Sequence, residues 1–404
     1  MNRLPVQNLK RGRTVGVGLA LPRFGFSVVR RREGYGKPYP YTQEGRVVAR
    51  ELKVSVALCT FNYAEFVGAQ LESILGQSRP PDEVLVSDDG SEDDTLAIVE
   101  RVAARFPCEV RVVQNARCLG CTGNFGSAIA QARGDVIFLS DPDDVWLEHR
   151  IERMLAPFAE SDRVAVVYSD AFLADAQLRP TGRTIFQARR SMRLATRRSA
   201  RELVHGVDIG VLGSMMALRS ALRPYVLPVE ATWGHDHWIL FIAHAIAEVR
   251  AIDEPLMYYR RHARNTGFDR SLEGGWWKGL SLKPAADRMS GFDRSLDGGW
   301  WKEWALGART TGMEPYAQET RRWETMVARL KELKTAGAPV ESPSVLNEFI
   351  EESERRLEFA RARESIKHKR RHRRLTPTAR LLLRGDYHLY VHGFRTFCKD
   401  LILG

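Results

Sequence analysis

The sequence predicts an α/β domain with a mainly parallel sheet flanked by helices, and three observations lead there. From residue 53 onward, short apolar runs alternate with stretches of helical spacing. Polar and acidic clusters follow one apolar run after another, at the edge where open α/β sheets bind ligands. Toward the C-terminus β-branched residues thin out and the pattern turns helical, which predicts a mostly helical C-terminal extension.

Each element follows from local pattern. Residues 54–59, Val-Ser-Val-Ala-Leu-Cys, form an apolar run bounded by polar residues, the mark of a buried parallel strand. Phe66, Ala69, Leu71, Ile74 and Leu75 then recur with helical spacing over 64–77. Strands are expected at 83–86, 110–113 and 135–139, with helices at 94–105 and 124–133. Beyond 145 the expectation is a helix over 148–159, strands at 164–168, 213–218 and 256–259, and a helix over 236–247. The Arg-rich stretch 175–200 reads as a flexible loop.

The chain has 404 residues, 44% of them apolar, enough to bury a substantial core. Residues 1–50 show no sustained period and read as a loosely ordered basic arm. Residues 267–278 recur almost unchanged as 291–302, each copy carrying a Trp-Trp pair, so 266–304 reads as an insertion. Two copies are too few for a solenoid; the alternatives are a plain surface duplication or an aromatic surface for sugar rings or lipid headgroups. Residues 305–404 form the basic helical extension, and 51–265 the α/β domain.

A net charge of +11 favours anionic partners. Nucleic acid is not expected among them, because no nucleic-acid motif accompanies the basic residues, which gather in 355–374. A basic stretch beside apolar helical residues fits either an anionic membrane surface or a solvated helix face. Residues 15–21 are too short for a signal segment, and no run of about 18 apolar residues occurs. The expected location is cytoplasmic, with peripheral contact at the inner face of the plasma membrane. Five cysteines at irregular spacing argue against a disulfide framework. Cys118 and Cys121 have CxxC spacing but no second pair and no neighbouring His, so they read as two loop thiols.

The chemistry concentrates in five places. Asp141-Pro142-Asp143-Asp144 follows the apolar run 136–139. Three carboxylates in four residues repel one another unless a cation offsets them, and a turn of such residues suits Mg²⁺ or Mn²⁺. A helix starting near Trp146 would explain one Asp as a cap, but not three. Asp88-Asp89-Gly90-Ser91 ends another strand; a carboxylate there can accept from a base or ribose, while Ser91 and Asp94 have the spacing of a capping box. Thr60-Phe61-Asn62 ends the first strand and can line a pocket. Trp233-Gly-His-Asp-His-Trp238 opens a helix, and Tyr258-Tyr-Arg-Arg-His262 closes the last core strand.

Residues 54–62, 71–77, 86–91 and 139–146, taken in order, resemble the family 2 glycosyltransferases of GT-A fold, a nucleotide-diphospho-sugar transferase architecture, and within it the bacterial rhamnosyltransferase-like branch. The resemblance implies an inverting, metal-dependent transfer of a sugar from a UDP- or dTDP-sugar donor to a saccharide or lipid-linked acceptor in surface polysaccharide synthesis. By position it implies that Thr60, Phe61, Asn62 and Asp89 contact base and ribose. Asp141 would face ribose and metal, and Asp143 would be the direct metal ligand. Asp236 would be the general base, and Arg260 and His262 would meet the diphosphate or the metal. Two departures stand out: Gly123 precedes Asn124-Phe125 where related sequences often carry Arg, and Pro142 replaces Gln between the two Asp positions.

A sugar nucleotidyltransferase, the alternative in neighbouring chemistry, needs a Gly-rich basic loop after the first strand, and residues 60–66 have none. A non-catalytic nucleotide- or nucleic-acid-binding scaffold would be free to lose its acidic residues, yet all are present.

Overall fold

Seven consecutive buried residues make β1 (Val54–Thr60) the central strand of the sheet. It pairs in parallel with β2 (Glu83–Asp88) on one side and β4 (Val136–Ser140) on the other. β3 (Glu109–Gln114) extends the parallel set at an edge, where its side chains alternate between exposed and half-buried. Burying both faces of β1, β2 and β4 is what their unbroken apolar runs encode; each Val or Leu so buried contributes about 1.5–3 kcal/mol.

The full sheet has nine strands in the order β3-β2-β1-β4-β8-β6-β9-β5, with β7 paired to β6. Here β5 is Val145–Trp146, β6 Val164–Ala174, β7 Pro180–Thr184, β8 Met216–Arg219 and β9 Glu248–Arg260. β6 and β9 are parallel, whereas β8, β7 and β5 run antiparallel to their neighbours. The sheet is thus the GT-A type of mixed, mostly parallel sheet flanked by helices, parallel throughout its first four strands.

Helices α1 (Val67–Leu75), α2 (Thr95–Ala103), α3 (Gly120–Gln131) and α4 (Arg150–Glu160) cover it. The shorter α5 (Ile185–Ala188), α6 (Ala200–His205) and α7 (Arg223–Val226) lead to α8 (His235–Ile246), whose residues are buried on almost every face. α9 (Pro315–Thr335) and α10 (Pro343–Lys367) form a pair, with α10 also against α8 and α11 (Leu375–Leu383) against α10.

This computed structural model describes residues 52–188, 199–205, 211–262, 264–265, 315–338, 340, 342–369, 373–386, 397 and 400–401. The arm expected over 1–50, the duplicated segment 267–302 and residues 370–372 of the basic run lie outside the described residues.

Several expectations need correcting. No helix begins near Trp146: that residue is in β5, and α4 starts at Arg150, so the acidic run caps nothing. Within 175–200, residues 180–188 are ordered as β7 and α5. The strand expected at 213 begins as a 3-10 turn, Gly213–Met215, and β9 starts well before 256. No helix among the described residues is long and apolar enough to cross a membrane.

Candidate active site

The strand order reverses between β1 and β4, so a crevice opens beyond their C-terminal ends. Thr60 sits level with Asp88 in the β1–β2 register, and Leu58 with Ser140 in the β1–β4 register. All the acidic motifs therefore face one edge of the sheet.

Asp88 and Asp89 have internal tasks there. Asp88 accepts from the Thr60 hydroxyl at 2.7 Å, from the Ser91 hydroxyl at 2.5 Å and from the Gly90 and Ser91 amides at 3.1 and 2.8 Å. Gly90 permits this turn with a φ of 92°. Asp89 accepts from the amides of Leu119 (2.7 Å) and Gly120 (2.8 Å), from Asn115 Nδ2 (3.0 Å) and from the Cys118 thiol (3.1 Å). It thus supplies the acceptors for the first turn of α3, a helix with no cap of its own. Burial works to raise the Asp89 pKa, but these hydrogen bonds prevail and hold it below the ordinary carboxylate value. Ser91 caps no helix either: its oxygen accepts from the Asn62 amide while its proton goes to Asp88. Cys118 and Cys121 are free thiols at the start of α3.

The acidic run differs. Asp141 is partly exposed, Asp143 and Asp144 are buried. Burial pushes the Asp141 pKa up to about 7; the charges of Asp143 and Asp236 add to the rise, and the Ser214 hydroxyl opposes it. Asp143 Oδ2 lies 2.9 Å from His262 Nε2 and accepts from Asn265 Nδ2 at 3.2 Å. His262 Nδ1 accepts from the Arg264 amide at 3.2 Å, which leaves the ring proton on Nε2 and makes His262 the donor to Asp143. His262 also stacks on Phe66, ring centroids 4.5 Å apart. In this arrangement His262 orients Asp143. Asp144 Oδ1 accepts from the Arg260 amide at 3.2 Å, while its Oδ2 is buried without a hydrogen bond among the described residues. Burial, then Asp143 and Asp141, drive its pKa well above the usual range. The wholly buried Arg150 faces it, its own pKa lowered by burial to about 9.

Asp236 lies in the first turn of α8 behind Gly234, whose φ of 79° makes the entry turn. The N-cap position of α8 is Gly234. The Asp236 side chain is 18% exposed, and its Oδ1 takes the His237 amide (2.8 Å) and His237 Nδ1 (3.0 Å). Burial works to raise its pKa, but His237 and, less strongly, His235 outweigh burial and keep the carboxylate ionised. His235 points elsewhere. It is buried, stacked on Phe125 at 4.0 Å, and packed so tightly over Gly213 that a Cβ there would lie 2.0 Å from its Nε2.

The remaining expected residues divide. Thr60 and Asn62 shape the turn, Asn62 with a φ of 58°. Phe61 is 47% exposed, its ring offered to solvent at the sheet edge. The Arg260 guanidinium is turned inward: Nε donates to the Asp143 carbonyl at 2.7 Å, Nη1 to the Ala176 carbonyl at 3.0 Å, and it lies 4.8 Å over Phe66. It braces the acidic turn. Sequence patterns did not single out Asn265 or Ser214, which touch this turn from elements distant in the chain; only Asn265, three residues beyond His262, carried a local hint.

A divalent cation fits the donor set here. Asp141 and Asp143 are hard oxygen ligands crowded by a third carboxylate. Among the described residues no three His, Cys, Asp or Glu side chains form a ready cage. Two carboxylates with open positions is how Mg²⁺ or Mn²⁺ is held when substrate phosphates complete its shell.

Residues 55–225 match the model of the family described as Glycosyl transferase family 2, a stretch from β1 to α7 that includes the acidic run and stops short of Asp236. An uncharacterized glycosyltransferase of Nostoc sp. is 26% identical over 220 residues, 53% of this chain and 66% of that protein. The Escherichia coli UDP-Glc:alpha-D-GlcNAc-diphosphoundecaprenol beta-1,3-glucosyltransferase WfaP is 30% identical over 121 residues, 30% of this chain and 46% of that protein. The chain thus aligns with less than two thirds of either relative. Among solved structures, S. aureus TarS 1-349 in complex with UDP-GlcNAc is 17% identical, with a TM-score of 0.44 over 85% of this chain and 90% of that one.

Proposed function

We propose that this chain is an inverting glycosyltransferase that moves a sugar from a UDP- or dTDP-sugar to a hydroxyl of a saccharide or lipid-linked acceptor, with 51–265 as its catalytic domain. The carrying observation is that the charges of Asp143 and Asp236 both act on Asp141 at the strand-order reversal, with the exposed ring of Phe61 at the same sheet edge.

In this reading Phe61 stacks on the base. Asp141 and Asp143 face the diphosphate, with Asp143 fixed by His262 and Asn265. A divalent cation bound there would offset charge on the departing nucleotide. Asp236, ionised and held by His237, takes the proton of the attacking hydroxyl. Attack from the face opposite the leaving group inverts the anomeric carbon. The family match and the glucosyltransferase relative support the donor class; a rhamnosyl donor and a role in surface polysaccharide are included as arms of the same test.

The test is a thermal-shift screen of UDP-glucose, UDP-GlcNAc and dTDP-rhamnose with Mn²⁺ or Mg²⁺, followed by nucleotide release from the best ligand. A stabilising sugar nucleotide whose effect needs the cation is expected. No stabilisation by any nucleotide would reject the reading.

Peripheral membrane contact is the second part of the proposal. Leu375 and Leu383 are exposed at the two ends of α11, and Leu383 lines a groove with Arg380 and Arg384, a combination that suits an anionic bilayer surface. Equal partitioning into phosphatidylglycerol and phosphatidylcholine vesicles would dismiss it.

A further inference from the structure

The turn that delivers Asp236 is anchored from outside the α/β domain. Trp233, three residues before Asp236, is 7% exposed. Its ring meets Trp323 of α9 edge-on at 5.0 Å and tilts against Phe241 of α8 at 5.5 Å. Its indole N–H donates to the Arg322 carbonyl at 2.8 Å. The Arg322 guanidinium lies 4.7 Å above the same ring. Two chemically different contacts from one residue of α9 therefore grip one residue of the turn.

The Arg322 side chain is unusually placed. Its Nε is buried without a hydrogen bond among the described residues. The nearby Glu319 is already taken by Arg356 and by Arg363, the latter at 2.7 Å. Burying part of a guanidinium whose neighbouring carboxylate is shared is costly, and a cation–π contact returns only about 0.5–1 kcal/mol at an exposed site and about 2 kcal/mol or more when desolvated. Burial lowers its pKa; Glu319 opposes that fall, Arg356 deepens it, and Asp236 opposes it. Asp236 is thus among the charges Arg322 feels, although 86 positions separate them in sequence.

We propose that Arg322 is a positioning residue for sugar transfer: stacked on Trp233, it clamps the Trp233-Gly234-His235-Asp236 turn and aims the Asp236 carboxylate at the acceptor hydroxyl. The proposal rests on Asp236 being the base. It makes the helical extension part of the catalytic apparatus. Gly234, with its positive φ, is a natural point of slack that such a clamp removes.

The test uses the full chain. Arg322→Ala and Arg322→Lys are compared with wild type, alone and in an Asp236→Asn background. Nucleotide release is followed with whichever of UDP-glucose, UDP-GlcNAc and dTDP-rhamnose stabilises the wild type most. Arg322→Ala is expected to lower kcat about 10- to 100-fold, the order expected for a displaced catalytic group, with the donor KM within about twofold. Arg322→Lys, which keeps a cation over the indole, should recover most of the loss. In the Asp236→Asn background, Arg322→Ala should add nothing, because the residue acts through that carboxylate. Hydrogen exchange should rise in 233–238 and stay unchanged in β1 and β4.

Unchanged kcat in Arg322→Ala, a loss that multiplies with Asp236→Asn, or exchange raised throughout α9 and α10 would each overturn the proposal. Failure of the base assignment looks different: Asp236→Asn alone would then release nucleotide at the wild-type rate. The exchange measurement needs no substrate and still decides whether Arg322 holds the turn.

Discussion

Two groups of aspartates stand at the same edge of the same sheet. Asp88 and Asp89 are surrounded by donors: both oxygens of each accept from amides, hydroxyls, a thiol or a side-chain amide. Around Asp141, Asp143 and Asp236 the donors are fewer: Asp143 meets His262 and Asn265, Asp236 meets His237, and burial with the charges of Asp143 and Asp236 pushes the Asp141 pKa up to about 7. Donors stabilise the charged form and turn a carboxylate into scaffold; neighbouring carboxylates destabilise it and leave a site that a cation relieves. The residue type is identical, so the difference lies in what faces each oxygen.

The largest effects should come from the second group. Asp236→Asn is expected to lower turnover by about 10²–10⁴, the usual contribution of a positioned base. Asp143→Asn, which keeps an oxygen for His262 and Asn265, should have a comparable effect. Asp236 is held by His237 and Asp143 by His262 and Asn265, so each substitution should lower the melting temperature only modestly, through one or two weakened hydrogen bonds. A large fall in melting temperature with full turnover in either variant would erase the contrast between the groups.

The next effect concerns the cation. Mn²⁺ at a hundred times its dissociation constant should stabilise the wild type by about 2.7 kcal/mol, and at the same concentration should stabilise Asp143→Asn far less. Equal shifts in the two proteins would place the ion elsewhere. Phe61→Ala should weaken nucleotide binding about tenfold, the scale of one base–aromatic stack, without changing the melting temperature of the free chain. Titration with UDP checks this, and an unchanged affinity would remove Phe61 from the base site.

The first four strands were legible in sequence because both faces of β1, β2 and β4 are buried and Val110 and Val113 of β3 are half-buried against the core, and the apolar runs say so. β7 was not: Pro180, Thr181, Gly182 and Arg183 are all exposed, and backbone pairing alone makes the strand. The start of β9 was hidden by Glu248, Arg250, Asp253 and Glu254. The acidic turn and the Asp236 turn could be read as motifs, since each is local. The task of Asp89 could not, because its donors come from residues 115–120 and only the fold brings them together. The inward turn of Arg260 was hidden for the same reason: the carbonyls it binds belong to Asp143 and Ala176.

The smallest effect tests the first group. Asp89→Asn replaces one acceptor oxygen by a donor, so the Leu119 or the Gly120 amide loses its partner. The expected cost is about 1–3 kcal/mol of stability. The pH dependence has a definite sign. The folded-state pKa of Asp89 lies below its unfolded value. Its contribution is therefore complete above the unfolded carboxylate range and is lost as pH falls through the depressed folded value. The gap in stability between wild type and Asp89→Asn should accordingly be constant near neutrality and shrink on acidification, which denaturant titrations at a series of pH values can follow. Transfer should suffer only through the loosened start of α3. A gap that does not change with pH would mean that the four donors hold Asp89 no better folded than unfolded.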